Sequence, residues 1–219
     1  MKRIIVYTGL SISFSQAEEI LKAEYRPPIK RGDLFELLED EKDVDIIGII
    51  DGVFHQSPAV AHKEILKALD EGITVVGGAS MGALRACELY PYGMIGVGNI
   101  FEDYKNGVIE SDDDVAVSLN PETYEQLSDS WINMKYNFNK ACEDDIITRS
   151  DVDELLLTSK NIYYPKRSFE YVINKSAITE DKKSNLKEYL NKNKFDIKHD
   201  DARAVIEYIK IISEKQNSE

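Results

Sequence analysis

Three short runs of consecutive apolar residues, "IIVYT" (4–8), "DIIGII" (45–50) and "ITVV" (73–76), set the narrowest limits on this fold. Each is rich in β-branched residues and of strand length, and none alternates apolar with polar. Strands of that pattern are buried on both faces, as in a parallel sheet covered by helices. A weaker fourth run, "MIGV" (94–97), follows "PYG". Helical patterns lie between the runs, at 15–24, at 33–41 with Asp33 as N-cap, and at 57–72. In the last of these, Ser57 caps, Pro58 takes the first helical position and Gly72 follows the end. The expected fold is α/β: a parallel sheet of about four strands flanked by helices.

Past about residue 120 the character changes to successive helical patterns with a Lys/Asn-rich break. The expected division is an α/β core at 1–119 that carries the site, and a helical C-terminal region at 120–219 packed on or beside it. A chain of 219 residues is long enough to bury a substantial core. Its formal net charge of −13 argues against a nucleic-acid partner, which requires a basic face. "EYRPPIKRGD" (24–33) nevertheless concentrates Arg26, Lys30 and Arg31. Two cysteines supply neither a disulfide framework nor a four-ligand zinc site, so no metal and no cofactor is expected. The apolar start is too short for a signal peptide, and no stretch reaches the roughly 18 apolar residues of a membrane helix. The expectation is a cytoplasmic protein with no membrane partner.

In an open parallel sheet, ligands bind at the carboxyl ends of the strands. The unusual loops fall there: "TGLSIS" (8–13), "DGVFHQS" (51–57) and "GGASMG" (77–82). The third holds Ser80 in a Gly-x-Ser-x-Gly frame made by Gly78 and Gly82. Three readings compete for that hydroxyl. It caps a helix, or it belongs to a phosphate cradle at a helix start, or it is a nucleophile on a sharp turn. The cradle lacks a Gly-Lys-Ser/Thr sequence, and the dinucleotide Gly-x-Gly-x-x-Gly spacing is missing after the first strand. In the nucleophile reading, the Met81 N–H supplies half of an oxyanion hole.

A nucleophilic serine needs a base. Only His199 follows Ser80, in a stretch that reads as a surface loop. His62 shares a helical face with Ile65, Leu66 and Leu69, so burial is the simpler expectation for it. His55, in the loop after the second strand, is the better histidine. Lys63 and Lys67 fall on a solvated face. Lys30 is a lysine candidate, because Pro27 and Pro28 stiffen its loop and Arg31 adjoins it.

"AEYRPPIKRGDLFELL", "IIGIIDGVFHQSPAVAHKEILKALDEGI", "VVGGASMGALRACEL" and "YGMIGVG", in that order, resemble TfuA-like proteins over about residues 1–117. The resemblance implies an accessory protein for YcaO enzymes, which use ATP to activate a peptide amide for backbone thioamidation. It further implies release of sulfide from a ubiquitin-like, ThiS-like sulfur carrier ending in a thiocarboxylate, and help for YcaO in engaging its substrate. The family's site is described as a hydrolase-like serine–lysine pair. Ser80 is the match for the serine, and Lys30 is assigned as the lysine on the argument above. The implied settings are methyl-coenzyme M reductase glycine thioamidation and thioamide peptide biosynthesis, with the composition leaning to the first.

The implied chemistry has Lys30 take the Ser80 proton while the alkoxide attacks the thiocarboxyl carbon. The Met81 N–H and a second donor from the Gly9–Leu10 or Gly52–Val53 turns hold the oxyanion. Because the thiocarboxylate is an anion, positive charge from Arg31 or Arg85 is expected nearby. His55 and Asp51 complete the supporting set. Two alternatives stay open: a non-catalytic adaptor that docks YcaO and the carrier, and a persulfide relay through Cys87. The plainer reading of Cys87 is a small core residue.

Overall fold

The computed structural model describes residues 2–41, 43–53, 58–118 and 126–215. The chain divides into two compact units, 1–110 with 198–219, and 111–197. The first holds a five-stranded sheet of β1 (Ile4–Tyr7), β2 (Glu24–Arg26), β3 (Ile46–Ile49), β4 (Thr74–Gly78) and β5 (Ile95–Val97), in the order β2-β1-β3-β4-β5. Every neighbouring pair is parallel, with Ile4 opposite Ile46, Ile46 opposite Thr74 and Val76 opposite Ile95. The α/β reading therefore holds. β1 and β3 are buried at every residue, as their unbroken apolar runs require.

The fifth strand, β2, carries no apolar run. It lies at the sheet edge, exposed or half-buried, and takes in Glu24, which the sequence pattern assigned to the first helix. That helix, α1 (Phe14–Ile20), ends earlier; Ser13 and Gln16 form a capping box at its start. The Tyr25 hydroxyl donates to the Ala17 and Leu21 carbonyls at its far end. That anchor and the β1 ladder make an edge strand from a polar tripeptide.

Two helix starts also differ from expectation. α2 (Asp33–Asp40) has Gly32, at φ 97°, as its N-cap, and Asp33 is the first helical residue. The Asp33 carboxylate reaches back to accept from the Lys30 N–H. α3 is His62–Asp70, so Pro58 lies before the helix, and its carbonyl accepts from the Arg31 N–H. The Ser57 cap falls outside the described residues. His62 is exposed rather than buried; in the first turn of α3 its Nε2 meets Glu88 Oε2 at 2.8 Å. Two further helices, α4 (Met81–Leu89) and α5 (Asn99–Lys105), follow β4 and β5.

The second unit is helical: α6 (Trp131–Glu143), α7 (Arg149–Lys160), α8 (Phe169–Lys175) and α9 (Glu180–Asn193). Met134, Phe138, Leu155, Val172 and Leu186 belong to its own apolar core. Arg167 is fully buried there, donating to the Ser159, Ile162 and Asp113 carbonyls and to the Asp113 carboxylate. Burial pushes the Asp113 carboxyl up, but the Ser111 hydroxyl and the Arg167 guanidinium outweigh it and hold Asp113 below the usual carboxylate range.

The last helix, α10 (Ile197–Lys215), belongs from Lys198 onward to the first unit. Ala202, Val205, Ile206 and Ile209 pack with Ile4, Val6, Ile46, Val76 and with Ala17 of α1, over one face of the sheet. The sequence division at 119/120 placed this helix with the helical region.

Candidate functional site

The order β2-β1-β3-β4-β5 is that of flavodoxin-type doubly wound sheets, whose crevice lies where β1 and β3 diverge. Here a carboxylate from within the chain fills that position. Asp51 is fully buried. Its Oδ2 accepts from the Gly9, Leu10 and Ser11 N–H groups at 3.1, 2.9 and 2.8 Å and from Thr8 Oγ1 at 3.2 Å. Its Oδ1 accepts from Ser11 Oγ at 2.6 Å. A row of N–H groups of this kind otherwise suits an external anion. In this chain Asp51 is that anion, and the loop after β1 is closed upon it.

The next gap along the edge, between β3 and β4, is built on a strained turn. Ala79, fully buried, sits at φ 64°, a left-handed conformation that is rare for a residue with a Cβ. The Ser80 N–H donates to the Gly78 carbonyl at 2.8 Å, and Ser80 lies at φ −128°, ψ −118°. Helix α4 starts at the next residue. Its Gly82 N–H donates to the Ile50 carbonyl at 3.2 Å, and a Cβ on Gly82 would lie 1.7 Å from the Ile49 carbonyl oxygen. Only glycine allows α4 to start that close to the end of β3. Both glycines of the Gly-x-Ser-x-Gly frame have a packing role, since a Cβ on Gly78 would lie 2.3 Å from the Val97 carbonyl oxygen.

Ser80 holds the N-cap position, yet its hydroxyl makes no cap bond and no other hydrogen bond among the described residues. The residue is 8% exposed. The first N–H of a helix has no intrahelical acceptor, and that of Met81 has none among the described residues either. Gly52 packs against Met81, since a Cβ there would come within 2.7 Å of Met81 Cγ. The Gly9 and Leu10 N–H groups are committed to Asp51, and the Val53 N–H to the Ile29 carbonyl. Of the second donors considered, Gly52 alone keeps an N–H with no acceptor among the described residues.

The basic loop reaches the same edge through its backbone. Ile29 bridges in parallel to Gly52, donating to the Asp51 carbonyl and accepting from Val53. Gly32 donates to Glu64 Oε2, and Glu64 Oε1 accepts from Ala61. Lys30 and Arg31 are exposed, and neither side chain has an ion pair or hydrogen bond among the described residues. No hydrogen bond joins Lys30 to Ser80. Arg85 is committed elsewhere, to the Val60 carbonyl and the Glu88 carboxylate. His55 lies outside the described residues. Burial, with help from Glu88, pushes the Cys87 thiol up, which disfavours the thiolate a persulfide relay needs.

Glu64 is the residue that sequence reasoning passed over. It is fully buried and fastens the basic loop to α3. Its only sequence signal is a glutamate at the third helical position, with alanine where a capping box has Ser or Thr.

The fold is a doubly wound α/β unit, a class whose ligands bind at the strand-end edge, and the turn into α4 at that edge carries the Ser80 hydroxyl. The family model described as TfuA-like protein matches residues 51–168, more than half of the chain, and the chain belongs to that family. No curated protein matches it. Among the described residues, no helix is long and apolar enough to cross a membrane.

Proposed function

We propose that this TfuA-like protein is an accessory hydrolase of YcaO-dependent thioamidation, acting on the C-terminal thiocarboxylate of a ubiquitin-like sulfur carrier. The observation that carries the reading is the Ser80 hydroxyl, which among the described residues has no hydrogen bond and lies beside an N–H with no acceptor, in a family associated with YcaO. Lys30 takes the Ser80 proton as Oγ bonds to the thiocarboxyl carbon; apo geometry of such pairs is loose and tightens on substrate. The Met81 and Gly52 N–H groups receive the oxyanion. The C–S bond breaks, and sulfide leaves with the proton that Lys30 carried. Water then cleaves the acyl-serine, returning the carrier carboxylate and the Ser80 hydroxyl. Arg31, exposed and without an ion pair among the described residues, offsets the charge of the entering thiocarboxylate. Methyl-coenzyme M reductase is the proposed recipient of the thioamide.

The test is sulfide release from purified thiocarboxylated carrier. Ser80→Ala and Lys30→Ala each abolish it, and the double variant is no worse than either, because members of one catalytic unit are non-additive. Full activity in Ser80→Ala removes the hydrolase reading. A second reading is a non-catalytic adaptor, favoured by the low exposure of Ser80 and the missing Lys30–Ser80 hydrogen bond. Undiminished thioamidation support from Ser80→Ala, without added sulfide, selects the adaptor.

A further inference from the structure

The helical unit carries a groove that the strand-end chemistry does not use. It lies between the end of α7 and the outer face of α8, with a volume of about 400 Å³. Tyr163 (65% exposed) and Tyr171 (42% exposed) form aromatic walls over the half-buried Ile162. Tyr163 is held edge-on against the buried Tyr164, with ring centroids 5.1 Å apart, so this wall has a fixed backing. Lys166 and Lys175 line the same groove, and neither has an ion pair among the described residues. Lys175 lies 5.7 Å from the centroid of the Tyr171 ring, which keeps its charge over the groove.

The charge lining the groove comes from Lys166 and Lys175. A helix C-terminus carries partial negative charge from its unbonded carbonyls. At the end of α7 the buried Arg167, itself paired with Asp113, donates to the Ser159 and Ile162 carbonyls. The Glu154 carboxylate, which accepts from the Thr158 hydroxyl and the Ala177 N–H, does not line the groove. Two exposed lysines with no ion pair among the described residues therefore line a groove between aromatic rings, in a chain whose net charge is −13. Such a local reversal of sign attracts an acidic partner that the rest of the surface repels.

We infer that this groove docks an acidic peptide segment of a partner protein, one that carries an aromatic or aliphatic anchor between its carboxylates. The anchor lies between Tyr163 and Tyr171, and the carboxylates meet Lys166 and Lys175. The exposed Asn161 amide at the rim suits an extended backbone. A nucleic acid also takes lysines and aromatic rings, but the overall charge opposes its approach.

The test selects short random peptides displayed against the full-length protein, counter-selected on the Lys166→Glu/Lys175→Glu variant. Enriched sequences are expected to be acidic with one aromatic or large aliphatic residue. Their labelled peptides should bind wild type and lose at least about tenfold in the double variant, and weaken with salt. Tyr171→Ala should weaken them with at most a small loss of thermal stability, because Tyr171 is 42% exposed and outside the unit's apolar core. No enrichment, enrichment of non-acidic sequences, or equal binding by the double variant overturns the assignment. So does tighter binding of a single-stranded oligonucleotide than of any selected peptide. Sulfide release is expected to be unchanged in the double variant, which separates this outcome from failure of the hydrolase reading.

Discussion

Asp51 shows how a single side chain decides what a sheet edge is able to bind. Five donors converge on its carboxylate, three of them backbone N–H groups in a row. Asp51→Ala removes this acceptor from the Gly9, Leu10 and Ser11 N–H groups and from the buried Ser11 hydroxyl, while Thr8 keeps the Ile12 carbonyl, and is expected to cost about 3 kcal/mol in urea unfolding. Asp51→Asn is expected to cost far less, about 1 kcal/mol. An amide oxygen in the place of Oδ2 still accepts the N–H groups, and the NH₂ in the place of Oδ1 donates to Ser11 Oγ. Equal losses in the two variants would mean that charge, rather than this bonding pattern, holds the loop. Ser80 is the opposite case, a hydroxyl on a strained turn with no hydrogen bond among the described residues. Its chemistry is testable by sulfide release because nothing in the described fold depends on that oxygen.

At the level of elements, α10 is indispensable to a sheet that it follows by a hundred residues. Its fully buried Val205, Ile206 and Ile209 cover β1, β3 and β4 on one face. Ile206→Ala is expected to destabilise the first unit by about 3 kcal/mol, within the range for buried large-to-small changes. Ile211→Ala, on the same helix but 49% exposed, is expected to cost less than about 0.5 kcal/mol. Removing the chain from residue 198 onward exposes the apolar face altogether, and the truncated protein should aggregate rather than yield a folded α/β unit. A soluble truncated protein with an unchanged melting transition would contradict this packing account.

Across the whole molecule individual carboxyls shift in opposite directions. Asp113 and Asp151 of the helical unit go down and buried Asp201 of the sheet unit goes up, while Glu24 at the exposed sheet edge is lowered, against burial, by Arg26 and Arg3. In the helical unit, Asp113 is held below the usual carboxylate range by Ser111 and Arg167, and Asp151 by Lys182 and Thr148, each against the upward push of burial. A depressed carboxyl gives stability that is present above its unfolded value, about 4, and is lost as pH falls through the folded value. In the sheet unit, burial raises the Asp201 carboxyl despite its bonds from Asn99 and Ile100. Its contribution is greatest in acid and fades as pH rises through the folded value. Limited proteolysis with pepsin near pH 3 should therefore cut within 111–197 before 1–110; the reverse order would refute the linkage. Docking and chemistry should also separate at this scale. Specific interfaces bury about 800 Å² per partner, far more than a serine and a lysine present. Ser80→Ala should keep near wild-type affinity for YcaO, and added sulfide should partly restore thioamidation. Loss of YcaO binding by a folded Ser80→Ala protein would place the serine edge inside the docking surface.

Most of the sheet was readable from local pattern, because burial on both faces leaves no polar position in β1 or β3. The Ser80 turn was readable too, since glycine spacing at a strand-to-helix junction is a local signal. Local pattern does not carry pairing across the chain. β2 is a polar edge tripeptide made a strand by β1 and by Tyr25, and α10 looks like any amphipathic helix until the sheet face is there to receive it. The oxyanion candidates were equivalent in sequence. They became distinct only when Asp51, forty residues from the Gly9–Ser11 loop, took the Gly9 and Leu10 N–H groups, and Ile29 took that of Val53. Residue types and period are local properties of a chain, so its sequence sets strands, turns and the nucleophile candidate. Which N–H groups stay open, which cations stay unpaired and which helix closes the core depend on distant groups meeting, and that is settled only in the folded molecule.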